Sequence, residues 1–127
     1  MQYMLTIYAN EAGFQQMPKE AVAQAMAGYG AYNDALKKAK VHVAGERLRP
    51  SATASTVRVT DGKTKVQDGP YAETKEQMGG YYIIDVPNLD EALKWAAKCP
   101  GAQHGTMEVR AIWPADQGRG DVLAYNS

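Results

Sequence analysis

The sequence is poor in the residues that usually carry chemistry in a small enzyme. Its 127 residues include one cysteine (Cys99), two histidines (His42 and His104) and one phenylalanine. A lone cysteine excludes an internal disulfide and suits a reducing compartment. The histidines lie far apart, with no HxxxH, HxH or CxxC pairing, so the three or four converging ligands of a transition-metal site are not expected. No GxGxxG opens a helix and no Walker lysine is present, so no nucleotide cofactor is expected. Neither histidine has the setting of a Ser-His-Asp or Cys-His nucleophile system. Fourteen basic residues balance fourteen acidic ones, which disfavours direct nucleic-acid binding or adsorption to an anionic membrane. No apolar run approaches the ~20 residues of a membrane span. The opening MQYMLTIYANEAGF lacks the basic and apolar regions of a signal peptide. A cytoplasmic location is therefore expected.

A hydrophobic content of 45% and a charged content of 22% are those of one globular domain. Its expected extent is residues 1–114, with 115–127 as a tail. Tyr3, Leu5 and Ile7 alternate with Met4, Thr6 and Tyr8, the period of a strand, and both sets are apolar enough for a central position. After Pro18, Val22, Ala25, Met26, Tyr29, Tyr32, Asn33 and Leu36 recur at three- and four-residue steps, predicting a helix of about twenty residues. Val41 to Leu48 reads as a second strand, with His42, Ala44, Glu46 and Leu48 on one face. Thr56 to Thr60 and Lys65 to Gln67 flank Asp61-Gly62, a strong hairpin turn. Tyr81 to Val86 is a further strand. Asn88 caps a helix with Glu91 as its capping-box partner; Leu89, Ala92, Leu93, Ala96 and Ala97 form the apolar face. Pro100-Gly101 stops it, Gly101 to Gly105 is a loop, and Met107 to Trp113 is the last strand. The fold expected is α+β: a ferredoxin-like βαββαβ core with an inserted β-hairpin. Two helices on one face leave the other bare, so a homodimer with a barrel-like assembly is expected, exposing residues such as Tyr3, Leu5 and Val109 when apart. Val122 to Tyr125 in the tail could dock on a partner or fray.

The densest stretch is Asp68 to Tyr82, DGPYAETKEQMGGYY. It joins a rigid Asp-Gly-Pro turn and a charged run to a glycine pair ahead of an aromatic strand. Asp68, Glu73 and Glu76 are the candidate acid–base residues. Lys75, Gly79, Gly80, Tyr81, Arg110 and His104 are candidate ligand-binding residues, with Lys75 holding an anion. The same residues also have a structural reading, with Asp68 capping its turn and Arg110 paired across strands with Glu108. His42 reads as a histidine at the edge of the core. Eight tyrosines against one phenylalanine suggest either ordinary core aromatics or converging hydroxyls in a polar pocket. Cys99 ends a helix, where the dipole raises a thiol's pKa, against a nucleophilic role.

These residues resemble the signature of the YCII-related superfamily, in the branch named for an Asp-Gly-Pro-Phe (DGPF) motif, with Tyr71 in place of the phenylalanine. The resemblance runs through GGYYIIDVP, LDEALKWAAKCPGA and MEVRAIW, and covers the chain up to Trp113. It implies a dimeric α+β protein. The superfamily's proposed histidine–aspartate pair does not carry over: the first helix offers Tyr29, Tyr32 and Asn33, and Cys99-Pro100 stands where Asp-Pro would be. The function expected is binding of a small molecule, with cofactor-free acid–base chemistry beside the DGPY segment. The alternative is a non-catalytic regulatory module, since the resemblance implies association with an extracytoplasmic-function sigma factor.

Overall fold

Alternation at residues 2–9 becomes strand β1 (Gln2–Ala9), which lies between two partners in the middle of a four-stranded sheet. The structure, a computed structural model, describes residues 1–114; the tail and its Val122–Tyr125 patch lie outside the described residues. A short helix α1 (Glu11–Gln15) and a long helix α2 (Lys19–Lys38) follow, then β2 (His42–Arg47) and a 3-10 turn at Ser51–Thr53. The hairpin is β3 (Ser55–Thr60) and β4 (Lys63–Asp68). After it come β5 (Gln77–Asp85), α3 (Leu89–Lys98), α4 (Pro100–His104) and β6 (Thr106–Ala111). The main sheet has the order β2-β5-β1-β6, antiparallel throughout. The hairpin forms a separate two-stranded sheet whose Asp61 and Gly62 both take positive φ, as a two-residue turn of primed type requires.

One face of the main sheet carries the core. Tyr3, Leu5 and Ile7 of β1 lie beside Tyr82 and Ile84 of β5 and pack under Tyr32 and Leu36 of α2 and Ala92 and Ala96 of α3. Tyr3, Leu5 and Val109 are thus on the helix-covered side, not on the bare one as the alternation suggested. The bare face carries Met4, Tyr8, Tyr81 and Ile83, all half-buried. On α3 the buried side is Ala92 and Ala96, with Trp95 turned toward Tyr32 (ring centroids 6.3 Å apart). Leu89, Leu93 and Ala97 are exposed, correcting the face assigned from spacing, because the helix is rotated to bring Trp95 inward. Asn88 caps it by accepting from the Glu91 N–H at 3.0 Å, while the Glu91 carboxylate pairs outward with Lys94 at 3.3 Å.

Residues expected in a loop after α3 form α4, with Pro100 at its start. Gly101 permits the close approach: a Cβ there would lie 2.8 Å from Ile7 and 2.9 Å from the Tyr29 hydroxyl. β6 ends at Ala111, two residues short of the expected Trp113.

Two β-bulges decide which side chains face the helices. On β2, His42 pairs with Ile84 but Ala44 pairs with Ile83, so Val43 is the extra residue. His42, Gly45 and Arg47 therefore share the helix-side face, and Ala44 and Glu46 point the other way. This overturns the expected grouping of His42 with Ala44 and Glu46, which assumed unbroken alternation. On β5, Gly80 pairs with Ile7 and Met78 with Tyr8, leaving Gly79 as the extra residue.

The two glycines of the pair thus have different roles. A Cβ on Gly80 would meet the Glu46 carbonyl oxygen at 2.7 Å, whereas one on Gly79 would meet nothing within 4 Å. Gly80→Ala should lower stability by about 1–3 kcal/mol, the cost of forcing atoms into a packed site. Gly79→Ala should stay within about 0.5 kcal/mol of the parent. Urea unfolding distinguishes them, and equal midpoints would remove the close-approach argument.

Candidate functional site

A cavity of about 460 Å³ lies between α2 and the β2–β5 end of the sheet. On α2, Met26, Tyr29, Gly30 and Asn33 line it, the three- and four-residue spacing of one helix face. From the sheet come Gly45 and Arg47 of β2 and Gly79, Gly80 and Tyr82 of β5. α1 adds Glu11, Phe14 and Gln15.

Hydrogen bonds, most of them to distant parts of the chain, hold α1 at this position, since it buries no side chain of its own. Asn10 caps it by accepting from the Gly13 N–H at 3.2 Å. The Glu11 N–H donates to Gln77 Oε1 at 3.0 Å. The Glu11 carboxylate accepts from the Ser51 N–H at 2.8 Å and from the Ser51 hydroxyl at 2.7 Å, one bond on each oxygen. Gln77 is available for this because the bulge at Gly79 pairs it with Ala9 on the helix side. The guanidinium of Arg47 lies over the Phe14 ring, 5.7 Å from its centre, a cation–π contact.

Beneath the cavity is a cluster of phenols and a thiol. Tyr82 and Tyr32 meet edge to face at 5.3 Å, and the Tyr32 hydroxyl donates to the Trp95 carbonyl at 2.7 Å. His42 stands edge-on to Tyr82 at 6.4 Å, the core-edge position expected of it. Burial, reinforced by the Cys99 thiol and neighbouring phenols, pushes Tyr29 up to about 12 against a lowering influence from Arg47. Burial first and Cys99 second push Tyr82 up to about 12, and burial raises Tyr32 as well. Cys99 is fully buried, and that burial raises its pKa despite the Gly101 amide and the Tyr29 hydroxyl, which favour the thiolate. At neutral pH the cluster is protonated: it can donate hydrogen bonds but offers neither a base nor a nucleophile.

Of the candidate acid–base and ligand-binding residues named from the sequence, Gly79 and Gly80 line this cavity. The others stand outside the lining. Asp68 ends β4, paired with Ser55 and exposed. Its neighbour Gly69 ties the turn down, donating to the Ala54 carbonyl at 2.7 Å and accepting from the Thr56 hydroxyl at 2.8 Å. Glu73 and Lys75 are exposed. Glu76 accepts from the Thr106 hydroxyl at 2.7 Å, joining the segment to β6. Arg110 pairs with Glu108 of its own strand at 3.1 Å, rather than across strands. His104 ends α4 in solvent, and Tyr81 faces the bare side of the sheet. The sequence reading did not select Arg47, Phe14, Glu11 or Gln77. The helical spacing of Tyr29 and Asn33, together with the surplus of tyrosine, was the signal available. Among the described residues, no group of three or more His, Cys, Asp or Glu is placed to hold a metal ion, and no helix is long and apolar enough to cross a membrane.

The raised phenol pKa values fix a pH dependence. In the unfolded chain these tyrosines ionise near their ordinary value of about 10, whereas folded Tyr29 and Tyr82 hold their protons to about 12. Between these values the unfolded state binds fewer protons, so the stabilisation is complete below the lower value and is lost as pH rises through the upper one. Urea midpoints should fall across this window, and Tyr82→Phe should flatten the fall; equal slopes for parent and variant would refute it. Cys99 should react with a thiol-specific disulfide reagent only after denaturation. Reaction at the rate of a free thiol in the folded protein would contradict its burial.

Residues 1–116 match the YCII-related domain. An uncharacterized protein of Rhizobium meliloti (strain 1021) is 48% identical over 68 residues, which is 52% of this chain and 55% of that protein, so the match spans about half of the relative. Among solved structures, the 5-chloro-2-hydroxyhydroquinone dehydrochlorinase of Burkholderia phenoliruptrix AC1100, in complex with 2,5-dihydroxybenzoquinone, is similar with a TM-score of 0.53 and 15% identity. That likeness covers 93% of this chain and 99% of the other, and at this identity it is a likeness of fold. The match over most of its length places the chain in the YCII-related domain family.

Proposed function

We propose that this protein binds a small, largely apolar molecule in the cavity between α2 and the β2–β5 end of the sheet. The observation that carries this reading is the cavity itself. Its volume of about 460 Å³ falls within the range of small-molecule sites, and its walls are apolar and aromatic with a few convergent polar groups. Asn33 and Gln15 are among the neutral polar side chains of the lining that would orient a ligand.

Acid–base catalysis through the DGPY segment has less support, because Asp68, Glu73 and Glu76 are absent from the lining. The Glu11 carboxylate accepts a hydrogen bond on each oxygen, and the phenols keep their protons at neutral pH. The reading is therefore a binding protein, which also accommodates a regulatory role beside a sigma factor.

We read the sheet as ferredoxin-like and the working unit as a homodimer. Met4, Tyr8, Met78, Tyr81 and Ile83 make an apolar centre on the bare face, rimmed by Glu46, Glu108 and Arg110. A second copy covering it would complete a barrel-like pair of sheets.

Two measurements test these readings. A fragment screen followed by amide chemical shifts should give perturbations clustered on Tyr29, Gly45, Gly79 and Tyr82. Perturbations confined to the hairpin, or none at all, would sink the cavity reading. Sedimentation equilibrium at micromolar concentration should give twice the 13.8 kDa chain mass; a monomer alone would remove the dimer.

A further inference from the structure

Two carboxylates and one guanidinium line the cavity: Glu11, Glu46 and Arg47. Glu11 is already committed, with Ser51 donating to both of its oxygens. Glu46 pairs in register with Tyr81, so its carboxylate belongs to the opposite face of the sheet, and its carbonyl oxygen is the atom that closes on Gly80. Arg47 pairs with Gly80 on the helix side, and among the described residues it has no ion-pair partner. The one positive charge in the lining, and the one charged group there that is neither engaged by Ser51 nor turned to the other face, is therefore the Arg47 guanidinium.

We propose that the cavity takes an aromatic carboxylate, with its ring among Met26, Tyr29 and Tyr82 and its carboxylate on Arg47. Three observations carry the class. The guanidinium of Arg47 lies 5.7 Å from the centre of the Phe14 ring, a cation–π contact that uses no N–H donor, and a planar, two-oxygen anion is bound through those donors. A single cation matches a monoanion, whereas a phosphate monoester brings close to two charges. The walls next to Arg47 are aromatic and sulfur-bearing, surfaces that pack on the faces and edges of rings.

This inference rests on the reading of the cavity as a binding site, and the experiment separates the two. The probes are 2-naphthoate, its neutral analogue 2-naphthylmethanol and 2-naphthyl phosphate, titrated calorimetrically into the parent protein, Arg47→Gln and Gly30→Trp. Gly30 lies on the same helix face as Met26 and Asn33, and a Cβ there meets nothing within 4 Å, so an indole at this position enters the cavity without displacing the core. The parent should bind naphthoate more tightly than about 1 mM and about tenfold better than the alcohol. Arg47→Gln should abolish that preference while holding the alcohol's affinity within about twofold, and higher salt should narrow the gap. Gly30→Trp should lose both ligands while keeping the parent's melting temperature.

Equal binding of naphthoate and the alcohol, an unchanged preference in Arg47→Gln, tighter binding of the phosphate, or no naphthoate binding at all would each overturn the carboxylate assignment. Undiminished binding of both ligands to a folded Gly30→Trp would overturn the cavity reading itself.

Discussion

The ring of Tyr82 occupies space that only a glycine at position 45 leaves open: a Cβ on Gly45 would come within 2.7 Å of it. That contact across the β2–β5 pair sets the level at which α2 rests on the sheet. Tyr82 then supports Tyr32 edge to face, and the Tyr32 hydroxyl reaches across to the backbone of α3 at Trp95. Both helices are thus positioned from one ring. Beside that ring, where β2 runs past α2 with Gly45 and Gly80 in place of larger side chains, the helix and sheet stay apart. The cavity is the volume that this spacing leaves unfilled, lined by Gly45, which makes room for Tyr82, and by Gly80, which makes room for the Glu46 carbonyl.

The bulges at Val43 and Gly79 act on the same strands in a complementary way. Each inserts one residue, and one residue is enough to move every later side chain of a strand to the other face. Without the first, Arg47 would face the bare side of the sheet; without the second, Gln77 would share a face with Tyr81. With both in place, the cavity acquires its cation and the amide that holds α1, and with it Phe14, at the cavity's edge.

This explains which parts of the molecule can be read from sequence. β1, α2 and the hairpin follow from periodicity and from strong signals at Pro18 and Asp61-Gly62, because hydrophobic spacing and local turn preferences act together there. The glycine pair drew attention for a sound reason, since one member is a close approach and the other a bulge. The exchange of faces that it causes depends on pairing with β1, which the local sequence does not specify. Arg47 was invisible for the same reason: by alternation it sits opposite His42 and so away from any interior. α1 buries nothing and is held by Glu11, Ser51 and Gln77, partners up to 66 residues apart, so no local pattern announces it. The charged residues of the DGPY segment had the opposite problem. Their density suggested chemistry, while Gly69 bonds the turn to the start of β3 and Glu76 bonds the segment to β6, which are structural tasks.

The groups under the cavity further limit what it can do. Phenols and a thiol, all raised in pKa chiefly by their burial, form a surface that resists ionisation and disfavours a negative charge at the cavity floor. An anionic group on a ligand must therefore stay near the mouth, where Arg47 is exposed, while the apolar part goes down toward Tyr82. The cavity is polarised along its depth, and the orientation of a bound molecule follows from that polarity. A ligand with charge at both ends would leave one end unpaired against the phenols, at the cost of desolvating it. A ligand with one charged end and one ring would have both ends satisfied, and the same protonated floor that offers no base would favour such a molecule.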